Sequence, residues 1–427
     1  MKLTKNLQVI RRPHYKEISN KMIENNFNYS GHWWLPEEPN NIVSGSLIYD
    51  EETGVILDLI GAFSELFKNK KHQKVDIILG VANGKEFTLL ECEQTNYQMQ
   101  IPGGPRCKYS PQYTIQGHHF ADLESAKFFE LSVNYENLTS WAELTGISRN
   151  VYFSEQGNKI RGEDFKFEYP EKLQYEFEEY NVSFEIRFGS TAQSNHSFSY
   201  EEWTVFTITT FSDRKLSFLF GDLSVHFQDL LTFCVGVGCH PKFVFAKSRE
   251  VFIRDRKTDE VIYKSLRIYP SYSKHFNIRK KKSDSFLVKF KTIQEEFQNL
   301  FLKWQDEKTS LEPIFNLYLS NIYNERQYFD IKFVNMVQGL ESFHRRVLGG
   351  RYVKKKEYKE IKKHFVEAIP EYLPKEFKEC LPDKFNFLHE YSLKKRLEEL
   401  VNYTNPYFTN LIGDVDKFIK NVKDSRN

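Results

Sequence analysis

The hydrophobic pattern changes period once along this chain, and that change commits it to two unlike domains. Up to roughly residue 290, apolar and polar residues alternate in short runs broken by turn residues, the pattern of half-buried strands. Beyond roughly 291, apolar residues recur at steps of three and four, the pattern of amphipathic helices. A chain of 427 residues also exceeds what one hydrophobic core commonly holds. The expected fold is α+β and multidomain. An antiparallel β-sandwich-like domain, or a related antiparallel fold, occupies 1–290, and an all-α bundle of about five helices occupies 291–427.

Local signals place the elements. Ser44–Asp50 and Val55–Ile60 flank a Gly-containing turn and predict a hairpin. Val75–Val81 and Phe87–Leu90 flank Asn83-Gly84, the strongest short hairpin signal. Tyr113–Ile115, Phe128–Val133, Val182–Phe188, Trp203–Ile208 and Val261–Tyr263 add strands. Ser217–Phe220 and Leu223–Leu231 carry helical spacing and predict a helix inserted in the β domain. The basic, polar run Arg279–Ser285 is the expected linker, with Phe286–Val288 as a candidate final strand. In the helical part, Phe329, Phe333, Met336, Val337, Leu340, Phe343 and Val347 share one face, stopped by Gly349-Gly350. Tyr358, Ile361, Phe365 and Ile369 form a second stripe, and Leu393, Leu397, Leu400 and Val401 a third. Phe408, Leu411, Ile412, Val415, Phe418, Ile419 and Val422 mark one last helix, whose stripe continues onto Arg426. An inward arginine needs a partner or a task. Glu341, one position after Leu340, is the expected partner.

Composition narrows the function classes. Aromatic residues make up 16% of the chain, which supplies large cores and excludes a disordered chain. A net charge of +2 gives no global field, so any nucleic-acid binding must come from local patches. No run of about 18 apolar residues predicts a membrane span. Met1–Arg12 is polar and basic, without the apolar segment of a secretory signal, so a cytoplasmic protein is expected. Five cysteines do not make a disulfide framework in a chain this long. Cys234, Cys239 and His240 offer three soft ligands where zinc usually takes four, and their apolar flanks predict buried thiols instead. His118 and His119 are adjacent on an expected strand, so they point to opposite faces and do not share an ion. Of Trp33 and Trp34, one is expected in the core and one exposed. Gly103-Gly104-Pro105 is a turn without the strand-to-helix context of a phosphate loop.

Two regions resemble the ApeA family of anti-phage proteins, which join a β-rich N-terminal domain to a HEPN domain. The first resemblance lies in Gly31-His32-Trp33-Trp34-Leu35-Pro36, Ser44-Gly45-Ser46-Leu47, Gly117-His118-His119-Phe120 and Leu138-Thr139-Ser140-Trp141. The second lies in Met336–Arg345, which is similar to the first long HEPN helix, and in Leu393–Leu400, which is similar to the helix after it. Asp424-Ser425-Arg426-Asn427 resembles the start of the Arg-Asn-x-x-x-His motif of HEPN ribonucleases. The family histidine falls beyond Asn427, so the chain as it stands is expected to be a weak or inactive nuclease. Loss of such a proton-transfer group costs on the order of 100- to 10,000-fold.

The resemblance implies RNA cleavage without metal or cofactor. The RNA's own 2′-hydroxyl attacks the adjacent phosphate, and the protein supplies proton transfer and charge stabilisation. Arg426 takes the second task, because a guanidinium donates a planar fork to phosphate oxygens and keeps its charge. Asn427 orients Arg426, the phosphate or the histidine. The family implies a homodimer through the HEPN domain and a β-rich domain that restrains the nuclease until a phage-derived trigger appears. His344, Arg345 and Arg346, with Lys354, Lys355 and Lys356, are the candidate RNA-backbone contacts. The competing reading is a non-enzymatic module that binds a ligand or protein and only dimerises through its helices.

Overall fold

A computed structural model describes residues 26–63, 74–154, 157, 159–194, 197–271, 281–324, 326–404 and 409–426, the side chains of 190–198 and 409 excepted. Expectations for Met1–Arg12, Arg279, Lys280, Phe408 and Asn427 fall outside the described residues. The chain divides into two compact units, Met1–Phe301 and Leu302–Asn427.

The first unit opens with β1 (Phe27–Leu35), β2 (Glu38–Asp50), β3 (Gly54–Ile60), β4 (Lys74–Ala82), β5 (Lys85–Gln100) and β6 (Gly104–Gln116). Both predicted hairpins form. Asn83 and Gly84 take φ of 49° and 68°, the left-handed pair that matches strand twist in a two-residue turn. Asp50 accepts hydrogen bonds from the amides of Glu52 and Thr53, and Gly54 at φ 77° completes the β2–β3 turn. The strands run β6-β3-β2-β1-β4-β5, and β5 pairs back onto β6, so six strands close into a barrel. Among the related antiparallel folds, closure selects the barrel and removes its free edges.

Trp33 fills this barrel. Its side chain is fully buried, and its indole N–H donates to the Gly45 carbonyl at 3.3 Å. Gly80 lies opposite Trp33 on β4, and a Cβ there would stand 2.1 Å from the indole ring. Gly80→Ala is therefore expected to cost about 3 kcal/mol, the upper end for overpacking, because the buried ring has nowhere to move. Urea unfolding followed by tryptophan fluorescence measures it. An unchanged midpoint would mean that Trp33 does not occupy the barrel centre. Trp34 is half-buried, edge-on to His119.

The sheet continues past the barrel through β7 (Lys127–Tyr135), β10 (Leu173–Glu176), β11 (Tyr180–Ser194), β12 (Ser197–Lys215), β13 (Pro241–Lys247) and β16 (Leu266–Pro270), in the order β10-β11-β12-β7-β13-β16-β6. Separate ribbons form from β8 (Ile147–Phe153) with β9 (Ile160–Phe167), and from β14 (Phe252–Arg254) with β15 (Val261–Tyr263). A short helix, α1, spans Leu138–Ala142.

The expected inserted helix is present. Ser217–Ser224 is a π-helical segment that runs directly into α2 (Val225–Val235). Among the described residues, Ser217–Val235 alone is long and apolar enough to cross a membrane, but most of it is buried within the unit, as a core helix would be. Phe227 of α2 stacks on Phe206 of β12, with centroids 3.7 Å apart. Trp141 and Phe184 surround that stack, and so do α3 (Phe290–Ile293) and the start of α4 (Phe297–Ser310) through Phe290, Phe297 and Phe301. Phe286–Val288 is not a strand. The Trp141 indole donates to the Val288 carbonyl, and the Val288 amide to that of Cys234. These aromatic contacts place the division between the units after Phe301, later than the composition shift near 290.

The second unit holds the rest of α4, then α5 (Glu312–Tyr323), α6 (Phe329–Phe343), α7 (Lys355–Glu367), α8 (Lys375–Lys384), α9 (Leu393–Thr404), α10 (Thr409–Ile412) and α11 (Val415–Arg426). The α6 stripe corrects the sequence reading. Val337 is buried as expected, but Phe329, Met336 and Leu340 are exposed, as is Val347 in the π-helical segment His344–Leu348 that follows α6. Periodicity marks an apolar face without saying what covers it. The single last helix is broken in two by Gly413 at φ 68°, and Asp414 caps α11 by accepting from the Lys417 amide.

Candidate active site

Within α11, Ile419 is buried and Arg426 follows it by two turns, on the same side of the helix. Arg426 reaches Glu341 of α6 with both guanidinium ends. NH1 donates to Oε1 at 3.1 Å, and NH2 lies 2.8 Å from Oε2. This two-pronged geometry is the strong form of an arginine–carboxylate pair. The expected partner is thus found, but the arginine is not inward. Its side chain is 40% exposed and Glu341's is 17% exposed, so the pair sits at a rim open to solvent. A guanidinium carries more donors than one carboxylate can engage, so Arg426 keeps N–H groups for a second anion.

Just past the end of α6 lies a polar cluster that sequence reasoning missed. His344 is fully buried and does not face solvent, which removes it from the candidate RNA contacts. Its Nε2 lies 2.9 Å from a Glu399 carboxylate oxygen, and its Nδ1 lies 3.4 Å from Arg396 NH1. Arginine has no acceptor, so Nδ1 accepts from Arg396 and Nε2–H donates to Glu399. Arg396 is 2% exposed. Its Nε donates to the Tyr391 carbonyl, and NH2 to Glu390 at 3.1 Å and to the Gly350 carbonyl. Burial pulls the Arg396 pKa down, as does nearby Arg345, while Glu390 and Glu341 push it back up. Gly350, at φ 77°, must lack a side chain, since a Cβ would stand 2.7 Å from Arg396 and 2.9 Å from His344. The missed signal was positional. Arg396 falls three residues after Leu393 and four before Leu400, and His344 falls seven after Val337. A polar residue at a stripe position is a buried one that needs partners.

The remaining candidates are spread apart. Arg345 pairs with Glu390 at 3.2 Å, and Arg346 donates to the Ser310 carbonyl at 2.8 Å. Lys354, Lys355 and Lys356 are exposed at the start of α7. In the first unit, His118 and His119 follow β6 in a loop rather than lying on a strand. His119 bonds the Gly80 carbonyl at 2.9 Å, while His118 packs edge-on to Phe120 and burial lowers its pKa. Cys234 and Cys239 are buried, and burial pushes each thiol up to about 12, which keeps both protonated near neutral pH.

Two family descriptions match the chain in the same order as the units. ApeA N-terminal domain 1 matches residues 28–304. Apea-like HEPN matches residues 334–427. The chain belongs to the ApeA family. The ApeA match covers the barrel, its sheet extension and the helices packed on them, and the HEPN match contains both Glu341 and Arg426. Together the two domains support an anti-phage HEPN-type protein. No curated protein and no solved structure matches the chain.

Proposed function

We propose that this ApeA-family protein is an anti-phage endoribonuclease whose HEPN unit cuts RNA without metal and whose β-rich unit restrains it until a phage-derived trigger appears. The observation that carries this reading is the two-pronged Glu341–Arg426 pair at a solvent-open rim within the HEPN match. Glu341 aims the guanidinium, and the remaining N–H groups of Arg426 take the non-bridging oxygens of a scissile phosphate. Charge grows on those oxygens as the 2′-hydroxyl attacks, and fixed donors stabilise it most at that point. Asn427 stands next in the chain to orient the phosphate or its proton donor. The exposed residues Phe329, Met336 and Leu340 of α6, and Val347 just after it, support a homodimer that covers them. A cytoplasmic protein acting on cellular RNA is part of this reading.

The test is cleavage of bulk transfer and ribosomal RNA by the protein as its gene encodes it, with phage lysate added as a source of trigger and EDTA present throughout. Fragments ending in 2′,3′-cyclic phosphate are the expected product, since internal 2′-hydroxyl attack leaves that end. No cleavage under any of these conditions, or cleavage that EDTA abolishes, rejects this mechanism. The non-enzymatic binding module then takes its place.

A further inference from the structure

Helix α7 carries lysines at Lys355, Lys356, Lys359, Lys362 and Lys363 within 13 residues. Lys355, Lys359 and Lys363 are spaced by four, which places them along one drifting stripe of the helix. All three are exposed. Lys359 has a like charge at i−4, i−3, i+3 and i+4, the spacings at which side chains on a helix meet and equal charges repel. Lys354 to Lys356 stand at the start of the helix, where its dipole also opposes positive charge. Compensation inside the helix is slight, since the Lys363 ammonium lies a loose 3.9 Å from Glu367. The apolar side is covered only in part, since Ile361, Phe365 and Val366 keep exposed surface. Tyr358 is buried against His389, and Phe365 packs on Phe385. Lys362 is drawn to the Asn386 side chain on that same flank.

We infer that the stripe Lys355, Lys359 and Lys363 is a binding face for the RNA sugar–phosphate backbone, read without regard to base sequence; the inference rests on the ribonuclease reading of this unit. A row of ammonium groups in which, among the described residues, Lys363 alone has a carboxylate near it, at 3.9 Å, has its repulsion relieved by a polyanion laid along it. RNA fits better than a lipid surface, because the large apolar residues of α7 that a membrane would take up are in part committed to Phe385 and His389. Lysine is suited to this task as a point charge on a flexible stem that follows phosphates without demanding one geometry.

The experiment measures fluorescence anisotropy of a labelled 2′-O-methyl RNA of about 20 nucleotides between 0.05 and 0.3 M KCl. That probe has no free 2′-hydroxyl, so binding is read independently of cleavage. The variant is Lys355→Gln, Lys359→Gln, Lys363→Gln in one chain. The control removes three exposed lysines of the β-rich unit, Lys166→Gln, Lys257→Gln and Lys264→Gln, which changes net charge equally. Circular dichroism confirms that both chains are folded. Each single-strand phosphate contact contributes about 0.7 to the slope of log affinity against log salt, so the α7 variant should lose about 2 from that slope and bind roughly fiftyfold more weakly at 0.15 M salt. The control should keep the parent slope. An α7 variant with the parent slope overturns the inference while leaving the nuclease reading intact. A parent protein that does not bind the probe overturns both. Equal RNA binding combined with loss of binding to phosphatidylserine vesicles would assign the stripe to an anionic membrane and also overturn the inference.

Discussion

Arg426→Ala is expected to lower RNA cleavage by a factor on the order of 10² to 10³, the usual effect of deleting one donor to a developing oxyanion. The loss should fall on kcat, with KM for RNA nearly unchanged, because the guanidinium's work is done where charge accumulates in the transition state. Glu341→Gln is the informative companion. It keeps the size of the side chain and one acceptor but breaks the two-pronged pair. If Glu341 only aims Arg426, Glu341→Gln is milder than Arg426→Ala and adds little on top of it, since the positioning effect vanishes once its target is gone. Arg426→Lys should resemble alanine more than the parent, because a lysine carries the charge without the fork. Single-turnover cleavage of a defined RNA by the parent, the three single variants and the Arg426→Ala, Glu341→Gln double variant measures all of this. Full activity in Arg426→Ala would remove Arg426 from the chemistry.

The second large effect concerns stability. Arg396→Met is expected to cost about 3–5 kcal/mol, the range for removing one partner of a buried charged pair. The methionine restores much of the volume but abandons the Tyr391 carbonyl, the Gly350 carbonyl, Glu390 and His344 together. Glu390 retains Arg345, so the damage concentrates on His344, whose Nδ1 is left without its donor in a fully buried site. Urea unfolding read by far-ultraviolet circular dichroism reports the helical unit. Arg396→Lys should recover only part of the loss, because one ammonium cannot reach partners spread around a planar fork. A midpoint unchanged by Arg396→Met would show that the cluster carries no net stability. That outcome is known for some buried ion networks replaced entirely by apolar residues, but not for half a network.

Periodicity and turn chemistry made much of the architecture legible. The two hairpins, the helix after Ser217, the stop at Gly349-Gly350 and the switch from strands to helices all follow from local causes: a φ that only certain residues adopt, a period of two, a period near 3.6. The pairing of Glu341 with Arg426 was also within reach, since a charged residue at the end of an apolar stripe has to meet a carboxylate somewhere in the bundle. His344 stands in a basic run with Arg345 and Arg346, which suggests a solvated patch, whereas its spacing of two turns from Val337 puts it on the buried side.

The sequence by itself determined the switch from strands to helices, where the hairpins turn, and that an arginine at position 426 would need a carboxylate, because these depend on contacts a few residues apart or on one charge. Only the tertiary structure decided that β5 returns to β6 and closes a barrel, that Phe290, Phe297 and Phe301 complete the aromatic core of the β-rich unit, and that Phe329, Met336 and Leu340 of the α6 stripe stay exposed while His344 and Arg396 do not. Those outcomes turn on which surfaces meet. A period marks an apolar face, but the free energy of covering it depends on neighbours distant in sequence that no local pattern names.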